Sequence, residues 1–375
     1  MMKTRHLLYF QDSRHLQPVR DKSVHLAVTS PPYPMIAMWD DVFAGMDPRT
    51  GEAIQAGDGK TAFELMHCCL DDVWEELWRV MVDGGIACIN IGDATRRTGP
   101  DFGLYPNHAR VLSRLMAIGF TPLPAILWRK PTNAPTKFMG SGMLPAGAYV
   151  TLEHEHILVV RKGSRRKFAT DREKRIRRES AIFWEERNEW YSDIWLNVIG
   201  TRQGMNAGAE RKRSAAFPFE IPFRLISMFS VKGDWVIDPF AGTGTTLKAA
   251  AILARNCQGF DLDRSLLEAV FGERDTLPGH ANAIAAERLR RHREFAATSG
   301  NRRRPLKHFN QPYQVPVVTS QEKDLFFNPV LSAERLSTDV LEISYLPVPD
   351  SVTAVDMEQS STGQSDDRRG QLKLF

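Results

Sequence analysis

The sequence predicts an α/β protein built on a mostly parallel, doubly wound sheet. Two observations predict it. Segments with strand and helix periodicity alternate over residues 24–129 and again over 217–261. In addition, a glycine-rich turn, Ala241-Gly242-Thr243-Gly244, directly follows the short apolar run Trp235-Val236-Ile237 and precedes a helical pattern.

The elements follow in order. Residues 24–29 (VHLAVT) read as a buried strand, ended by Ser30-Pro31-Pro32-Tyr33, through which no regular element continues. Over residues 62–82 the apolar residues Phe63, Met66, Leu70, Val73, Trp74, Leu77 and Met81 recur at helical spacing. Asp83-Gly84-Gly85 is read as the stop, with a strand over 86–91 closed by Gly92-Asp93. A helix over 106–117 stops at Gly119, and strands follow near 125–129 and 156–160. The pattern dissolves into charge between 161 and 215. It returns as a helix (221–230), a strand (235–237), a helix (246–253) and a strand (257–260) ending in Asp261. From about residue 300 the composition shifts to Pro, Ser, Thr and Asp, which predicts at most loose docking and disorder from about 350.

At 375 residues the chain is long enough for one large α/β domain with additions. No apolar run reaches the roughly 18 residues of a membrane span, and no signal peptide is read at the N-terminus, so a cytosolic protein with no membrane partner is expected. Cys68, Cys69, Cys88 and Cys257 show no C-x-x-C spacing and are expected to be reduced, buried thiols. The net charge of +4 hides a split: residues 311–375 carry ten acids and five bases, a net of −5, leaving +9 on the remainder. A basic body suits a polyanionic partner and equally a merely soluble surface.

Two motifs carry chemistry. The first is Asp238-Pro239-Phe240-Ala241-Gly242-Thr243-Gly244-Thr245-Thr246. Glycines at a strand-to-helix turn let backbone approach a ligand, and the next helix presents free N–H groups there. A Walker A loop would need Gly-Lys-Ser/Thr, but Leu247 precedes Lys248. A dinucleotide fingerprint would need a third glycine where Leu247 stands. An S-adenosylmethionine loop fits, with the Asp261 carboxylate accepting from the two ribose hydroxyls. The second motif is Thr29-Ser30-Pro31-Pro32-Tyr33. The lone pair of an exocyclic base amine is delocalised into the ring. Two acceptors, the Ser30 hydroxyl and the Pro31 carbonyl, aimed at its hydrogens would draw the nitrogen toward tetrahedral geometry. Consecutive prolines, Pro31 and Pro32, hold that carbonyl's direction. Tyr33 has a ring to stack on an extruded base.

Together the two motifs resemble those of the DNA amino-methyltransferases of the permuted, beta class, in which the catalytic motif precedes the cofactor motif. The resemblance covers roughly residues 5–275. It implies a Rossmann-like seven-stranded sheet with one antiparallel strand. It also implies S-adenosylmethionine as methyl donor and transfer to an amino group of duplex DNA, with site-specific recognition. Gln11-Asp12 resembles the acidic site before the catalytic strand, and residues 85–93 (GIACINIGD) the strand that ends in Gly-Asp. Trp128-Arg129-Lys130-Pro131 and Glu155-His156-Ile157-Leu158-Val159 resemble the strands leading into target recognition. Phe217-Pro218 lies in the segment that lines the cofactor pocket. The resemblance divides the chain into a catalytic half (1–160), a target-recognition insert (161–215), a cofactor half (216–300) and a C-terminal tail (301–375). The serine form of the catalytic motif is most often associated with cytosine N4, with adenine N6 as the alternative. Carbon-5 methylation would need a cysteine nucleophile, usually after proline, and none of the four cysteines follows one. A non-catalytic DNA-binding relative, and an RNA or protein methyltransferase, stand as further alternatives.

Three segments lie outside the two motifs. Residues 161–178 hold ten Lys or Arg against two acids, with Phe183, Trp184, Trp190, Tyr191 and Trp195 just beyond. Within and after this run Arg165, Arg166, Lys167, Arg175, Arg177, Arg178, Arg202, Arg211, Lys212 and Arg213 are expected to meet the DNA backbone. Glu153-His154-Glu155-His156 places two histidines on one strand face, but no third metal ligand is identifiable from sequence, so a structural pair is expected. Finally Gln371-Leu372-Lys373-Leu374-Phe375 resembles the short peptide by which bacterial replication and repair proteins bind the sliding clamp. The clamp, and an endonuclease acting on the same site, are the expected partners besides duplex DNA.

Overall fold

The computed structural model describes residues 1–98, 101–130, 139–140, 142–198, 217–300 and 306–347. At its centre, seven strands form the predicted sheet: β1 (Met2–Phe10), β2 (Val24–Thr29), β3 (Met81–Ile91), β4 (Ile126–Arg129), β5 (His154–Arg161), β7 (Trp235–Asp238) and β8 (Asn256–Asp261). Between β5 and β7 in sequence lies the short β6 (Ile194–Trp195). The spatial order is β4-β5-β3-β2-β7-β8-β1. Neighbours are parallel except at β5, which runs antiparallel to both β3 and β4. The sheet is therefore the Rossmann-like one implied by the resemblance, with its single antiparallel strand.

Alternation along each strand sends side chains to two cores. Leu26 and Val28 of β2 join Cys88, Ile157, Val236 and Cys257 on one face. Helices α7 (Glu220–Phe229) and α8 (Thr245–Ile252) cover that face. Ala27, Ile89, Leu158, Ile237 and Phe260 face the other side, beneath α3 (Gly59–Val80) and α4 (Asn107–Ile118). Asp58 caps α3 by accepting from the Thr61 backbone N–H at 3.1 Å. Two shorter helices, α1 (Asp40–Met46) and α2 (Pro48–Gln55), fill the connection from β2 to α3.

The structure corrects the sequence reading in four places. Asp83-Gly84-Gly85 does not stop a helix. α3 ends at Val80, and the glycines form a bulge inside β3, where β2 residues 24 and 26 pair with β3 residues 81 and 86. The charged stretch after 161 contains helices α5 (Asp171–Glu179) and α6 (Trp184–Trp190), and β6 extends the sheet parallel to β4. Cys69, Cys88 and Cys257 are buried thiols, but Cys68 is exposed.

The largest correction concerns residues 306–347, which are not a loosely docked tail. Strand β10 (Val340–Tyr345) pairs antiparallel with β1, and β9 (Val330–Ser337) pairs with β10. Ile343 and Tyr345 are fully buried. The Tyr345 hydroxyl donates to the Ala251 carbonyl at 2.6 Å near the C-terminal end of α8, where that carbonyl otherwise takes a long turn bond from the Ala254 N–H at 3.3 Å. With that proton committed, it accepts from Thr4 Oγ1 at 2.8 Å. The composition misled here because the apolar residues of β10 alternate with polar ones, and the polar Glu342 and Ser344 are buried only once β10 is paired on both sides. Residues 348–375, with the clamp-like peptide, lie outside the described residues.

Removing the Tyr345 hydroxyl strips partners from two buried groups. Tyr345→Phe is expected to destabilise the protein by about 1–3 kcal/mol, read as a lower denaturant midpoint with an unchanged slope.

Candidate functional site

Four strands, β1, β2, β7 and β8, end side by side at the carboxyl edge of the sheet, where doubly wound folds open a crevice. Asp238, the last residue of β7, is 2 % exposed and bridges the two predicted motifs. Its Oδ1 accepts from Thr29 Oγ1 at 2.6 Å and from the Phe240 backbone N–H at 3.1 Å. Its Oδ2 accepts from Thr246 Oγ1 at 2.6 Å. Burial pushes this carboxyl up to about 6, against the pull of the three donors. Asp238 thus positions the loop and the catalytic strand through both of its oxygens, and it also lines the cavity described below.

The glycine loop turns over this carboxylate. Gly244 caps α8 in the left-handed region (φ 78°), and a Cβ there would lie 2.7 Å from Val270 Cγ1. Only glycine meets both conditions. The Gly242 N–H donates to Asp261 Oδ2 at 2.9 Å, and Asp261 Oδ1 accepts from the Asp263 N–H at 2.9 Å. Each Asp261 oxygen keeps a further lone pair. Burial raises this carboxyl, opposed by those backbone donors.

Between loop and strand ends lies a cavity of about 330 Å³. Ser30, Pro32, Asp12, Phe217, Asp238, Pro239, Phe240, Ala241, Gly242, Thr243, Thr245, Thr246 and Asp261 line it as expected. Pro31, Tyr33, Pro218 and Gly244 are chain neighbours of these residues and are not themselves part of the lining. Burial works to raise the Asp12 carboxyl, but its bonds to Arg14, at 2.6 Å, hold it low. Sequence reasoning missed Trp39, Val42 and Met46, which complete the apolar wall with Leu262 and Leu266. Their i, i+3, i+7 spacing just after the Pro-Pro-Tyr motif was the available signal. An acceptor carboxylate near a glycine turn, an apolar slot and this volume fit a nucleoside such as that of S-adenosylmethionine.

Ser30 Oγ lies 3.0 Å from the Tyr33 hydroxyl. That hydroxyl donates to Glu155 Oε2 at 2.8 Å and accepts from Asn90 Nδ2 at 2.8 Å. Asn90 Nδ2 also donates to Glu155 Oε2 at 2.7 Å, and Lys130 Nζ to Glu155 Oε1 at 2.8 Å. Gly92 packs on the tyrosine ring, where a Cβ would approach Cε2 to 2.9 Å. Burial, then the charge of Glu155, holds the Tyr33 phenol well above its usual range, so it keeps its proton. Glu155 and Asn90 lie in segments marked from sequence, but neither was given this role, because the network forms only when their strands meet Tyr33.

Asp93, His108 and His156 bring donor atoms within 4.8 Å of one another near this edge. His108 Nδ1 is bonded to Asp93 at 2.8 Å, and the two imidazoles stack at 3.8 Å with 12° between planes. Lone pairs in parallel planes do not converge on one ion. Burial, with His108 beside it, pushes His156 down to about 4.

The basic run does not meet the catalytic motif. β5 is antiparallel, so residues from 161 onward leave the sheet at the opposite edge, where Arg161 pairs with Ile86. There Arg166 binds Asp234 at 2.6 Å, just before β7 begins. Arg175 binds Glu179, Arg178 binds Asp324, and Arg177 lies over the Phe168 ring. Arg165 and Lys167 are exposed at that same far edge. Phe183, Trp190 and Trp195 are buried, and only Trp184 and Tyr191 keep substantial exposure. Arg202, Arg211, Lys212 and Arg213 lie outside the described residues.

Thr29→Val keeps the shape but removes one donor from Asp238. The folded carboxyl, already above its unfolded value near 3.9, rises further. The folded state then holds the proton more tightly, and stability is lost as pH rises. The variant is expected to lie close to wild type at pH 5 and to fall behind by about 1.5–3 kcal/mol at pH 8, measured by denaturant unfolding across pH.

With this geometry in place, comparison with known proteins is informative. A family model described as DNA methylase, of the N6/N4 type, matches residues 24–271. The type II methyltransferase M.MthZI of Methanothermobacter thermautotrophicus is 45% identical over 348 residues, covering 92% of this chain and 97% of that protein. M.MjaI of Methanocaldococcus jannaschii is 48% identical over 274 residues, covering 70% and 89%. The crystal structure of a Thermus thermophilus protein, described as a putative DNA modification methylase and complexed with S-adenosyl-L-methionine, superposes with a TM-score of 0.56. It is 30% identical over 72% of this chain and 94% of that one. The chain belongs to the N6/N4 family of DNA methylases.

Proposed function

We propose that the chain methylates the N4 amino group of cytosine at a specific site in duplex DNA, with S-adenosylmethionine as donor, as the modification partner of a type II system. One observation carries the reading: Ser30 and the nucleoside-shaped slot of Asp261, Phe217 and the glycine loop are walls of a single cavity. When bound, the cofactor supplies an electrophilic methyl group on a sulfonium sulfur. Asp261 suits its ribose hydroxyls, and Phe217 with Trp39, Val42 and Met46 suits its apolar surfaces. Ser30 Oγ and the Pro31 carbonyl accept from the two hydrogens of the target amine and orient its lone pair. Tyr33, pinned at its hydroxyl and backed by Gly92, contributes its ring beside the extruded base. The Ser-Pro-Pro-Tyr form supports cytosine over adenine.

DNA would approach over the carboxyl edge of the sheet. β4 ends and β5 begins there, since Arg129 pairs with His154. β6 ends there too, and Phe217 returns to the cavity. The connections after 129 and 195 are thus anchored at that edge on both sides, and the second carries Arg202, Arg211, Lys212 and Arg213. These residues replace the 161–178 run as the proposed backbone contacts. The C-terminal peptide Gln371-Leu372-Lys373-Leu374-Phe375 supports a tether to the sliding clamp. Two adjacent apolar residues, Leu374 and Phe375, end a polar segment.

Digestion of methylated DNA to nucleosides and mass analysis tests the reading. N4-methylcytosine is expected. N6-methyladenine would move the target to adenine, and no methylated base in any DNA pool would overturn the reading. Ser30→Ala is expected to lower the single-turnover rate by about 2–4 kcal/mol of barrier with cofactor affinity unchanged. Asp261→Ala is expected to do the reverse, weakening cofactor binding by about 1.5–3 kcal/mol in calorimetry.

A further inference from the structure

The proton count around Tyr33 has one solution. A carboxylate only accepts, so the Asn90 amide must turn its NH2 toward Glu155 Oε2, and the same NH2 donates to the Tyr33 oxygen. Three donors converge on Glu155: Lys130 on Oε1, Asn90 and Tyr33 on Oε2. Tyr33 has a single proton, and Glu155 at 2.8 Å takes it. Any other choice leaves two oxygens facing each other at that distance with no proton between them. Tyr33 therefore has none left for Ser30, and the 3.0 Å contact between them must be Ser30 donating to Tyr33. The serine hydroxyl has then spent its only proton, and what it turns to the cavity is lone pairs alone.

We infer that Glu155 is a positioning residue that sets the direction of the chain Ser30 to Tyr33 to Glu155, so that Ser30 acts only as an acceptor and the site admits amino bases and rejects carbonyl bases. The inference rests on the proposed amine methylation and adds the base filter to it. Cytosine and adenine present N–H donors at the exocyclic position, whereas thymine and guanine present oxygen acceptors there. A freely rotating serine hydroxyl would welcome either kind. A serine whose proton is held by Tyr33 meets a carbonyl with lone pair against lone pair, an unsatisfied buried contact of the kind that gives polar sites their strong rejection. Glu155 works through two intervening hydroxyls and touches no reacting atom. Lys130, just past the end of the neighbouring strand β4, balances its charge, so the network does not bring an uncompensated anion up to the base.

The test compares the full chain with Glu155→Gln and Tyr33→Phe, using S-adenosylhomocysteine and a duplex carrying the site identified by nucleoside analysis. In a second duplex the target amino group is replaced by oxygen, giving uracil for cytosine or hypoxanthine for adenine. A glutamine NH2 pointed at Tyr33 frees the tyrosine proton for Ser30 and erases the direction. Wild type is expected to bind the amino duplex at least about tenfold more tightly than its oxygen analogue, and Glu155→Gln to bind the two within about twofold. Because each variant is compared with wild type on the same two duplexes, differences in base-pair strength cancel. Single-turnover transfer is expected to fall roughly 100-fold with cofactor affinity unchanged. A merely structural role would weaken both duplexes equally and leave the ratio intact. If Glu155→Gln does not fold, Tyr33→Phe breaks the same chain one link nearer the base and is expected to abolish the same preference. Wild-type discrimination in either folded variant overturns the inference while leaving amine methylation standing. A wild-type chain that methylates no amine overturns the function first, and this inference with it.

Discussion

The arrangement depends on one buried carboxylate. Asp238 joins Thr29 and Thr246, the first 209 residues away in sequence, and so fixes the catalytic strand against the cofactor loop. Without it, two motifs that meet only through folding would share a sheet but not a geometry. The strand pleat completes the device. Thr29 turns into the sheet to bind Asp238, and Ser30, the next residue, therefore turns the other way, into the cavity. Burying a charge this deeply is unfavourable even with three donors, so the carboxylate is better explained by positioning than by stability.

Much of this was legible before any coordinates. Strands at 24–29 and 235–238 are short, largely apolar runs bounded by turn residues, because each is buried on both faces of a parallel sheet. The glycine loop and the Ser-Pro-Pro-Tyr motif were legible because backbone geometry permits few residue types there. What was not legible depends on partners distant in sequence. β10 alternates like a surface segment until its register on β1 is known. The positioning role of Asp238 came into view only when its donors were located. Glu155 falls in a segment the sequence marks, but its role comes only from Tyr33, 122 residues earlier.

The basic run shows the same limit in electrostatic form. Counting ten cations against two acids within 161–178 overlooks the acids that meet them after folding. Asp234 neutralises Arg166 from 68 residues away, and Asp324 meets Arg178 from 146. The direction of β5 then decides the matter. An antiparallel strand carries the chain that follows it to the edge opposite the catalytic residues, so a charge cluster adjacent in sequence to one catalytic strand ends up a sheet's width away. The interleaved aromatics belong to this same packing. Phe183 stacks on His292 at 3.8 Å, and Trp195 fills the core beside β4.

Two carboxylates thus divide the work of the site. Asp238 governs position, since it holds the serine-bearing strand and the cofactor loop at a set separation. Glu155 governs polarity, since it determines which way the protons run between Ser30 and Tyr33. The tasks are separable because the two acids sit on opposite flanks of β2, Asp238 on the neighbouring strand β7 and Glu155 two strands away on β5. A hydroxyl is an ambiguous group, donor and acceptor at once, and a short side chain alone cannot make it choose. An aspartate at the serine's place would be an acceptor without any such support. With serine there, the acceptor character must come from elsewhere in the fold, and in this structure it comes through Tyr33 from the antiparallel strand.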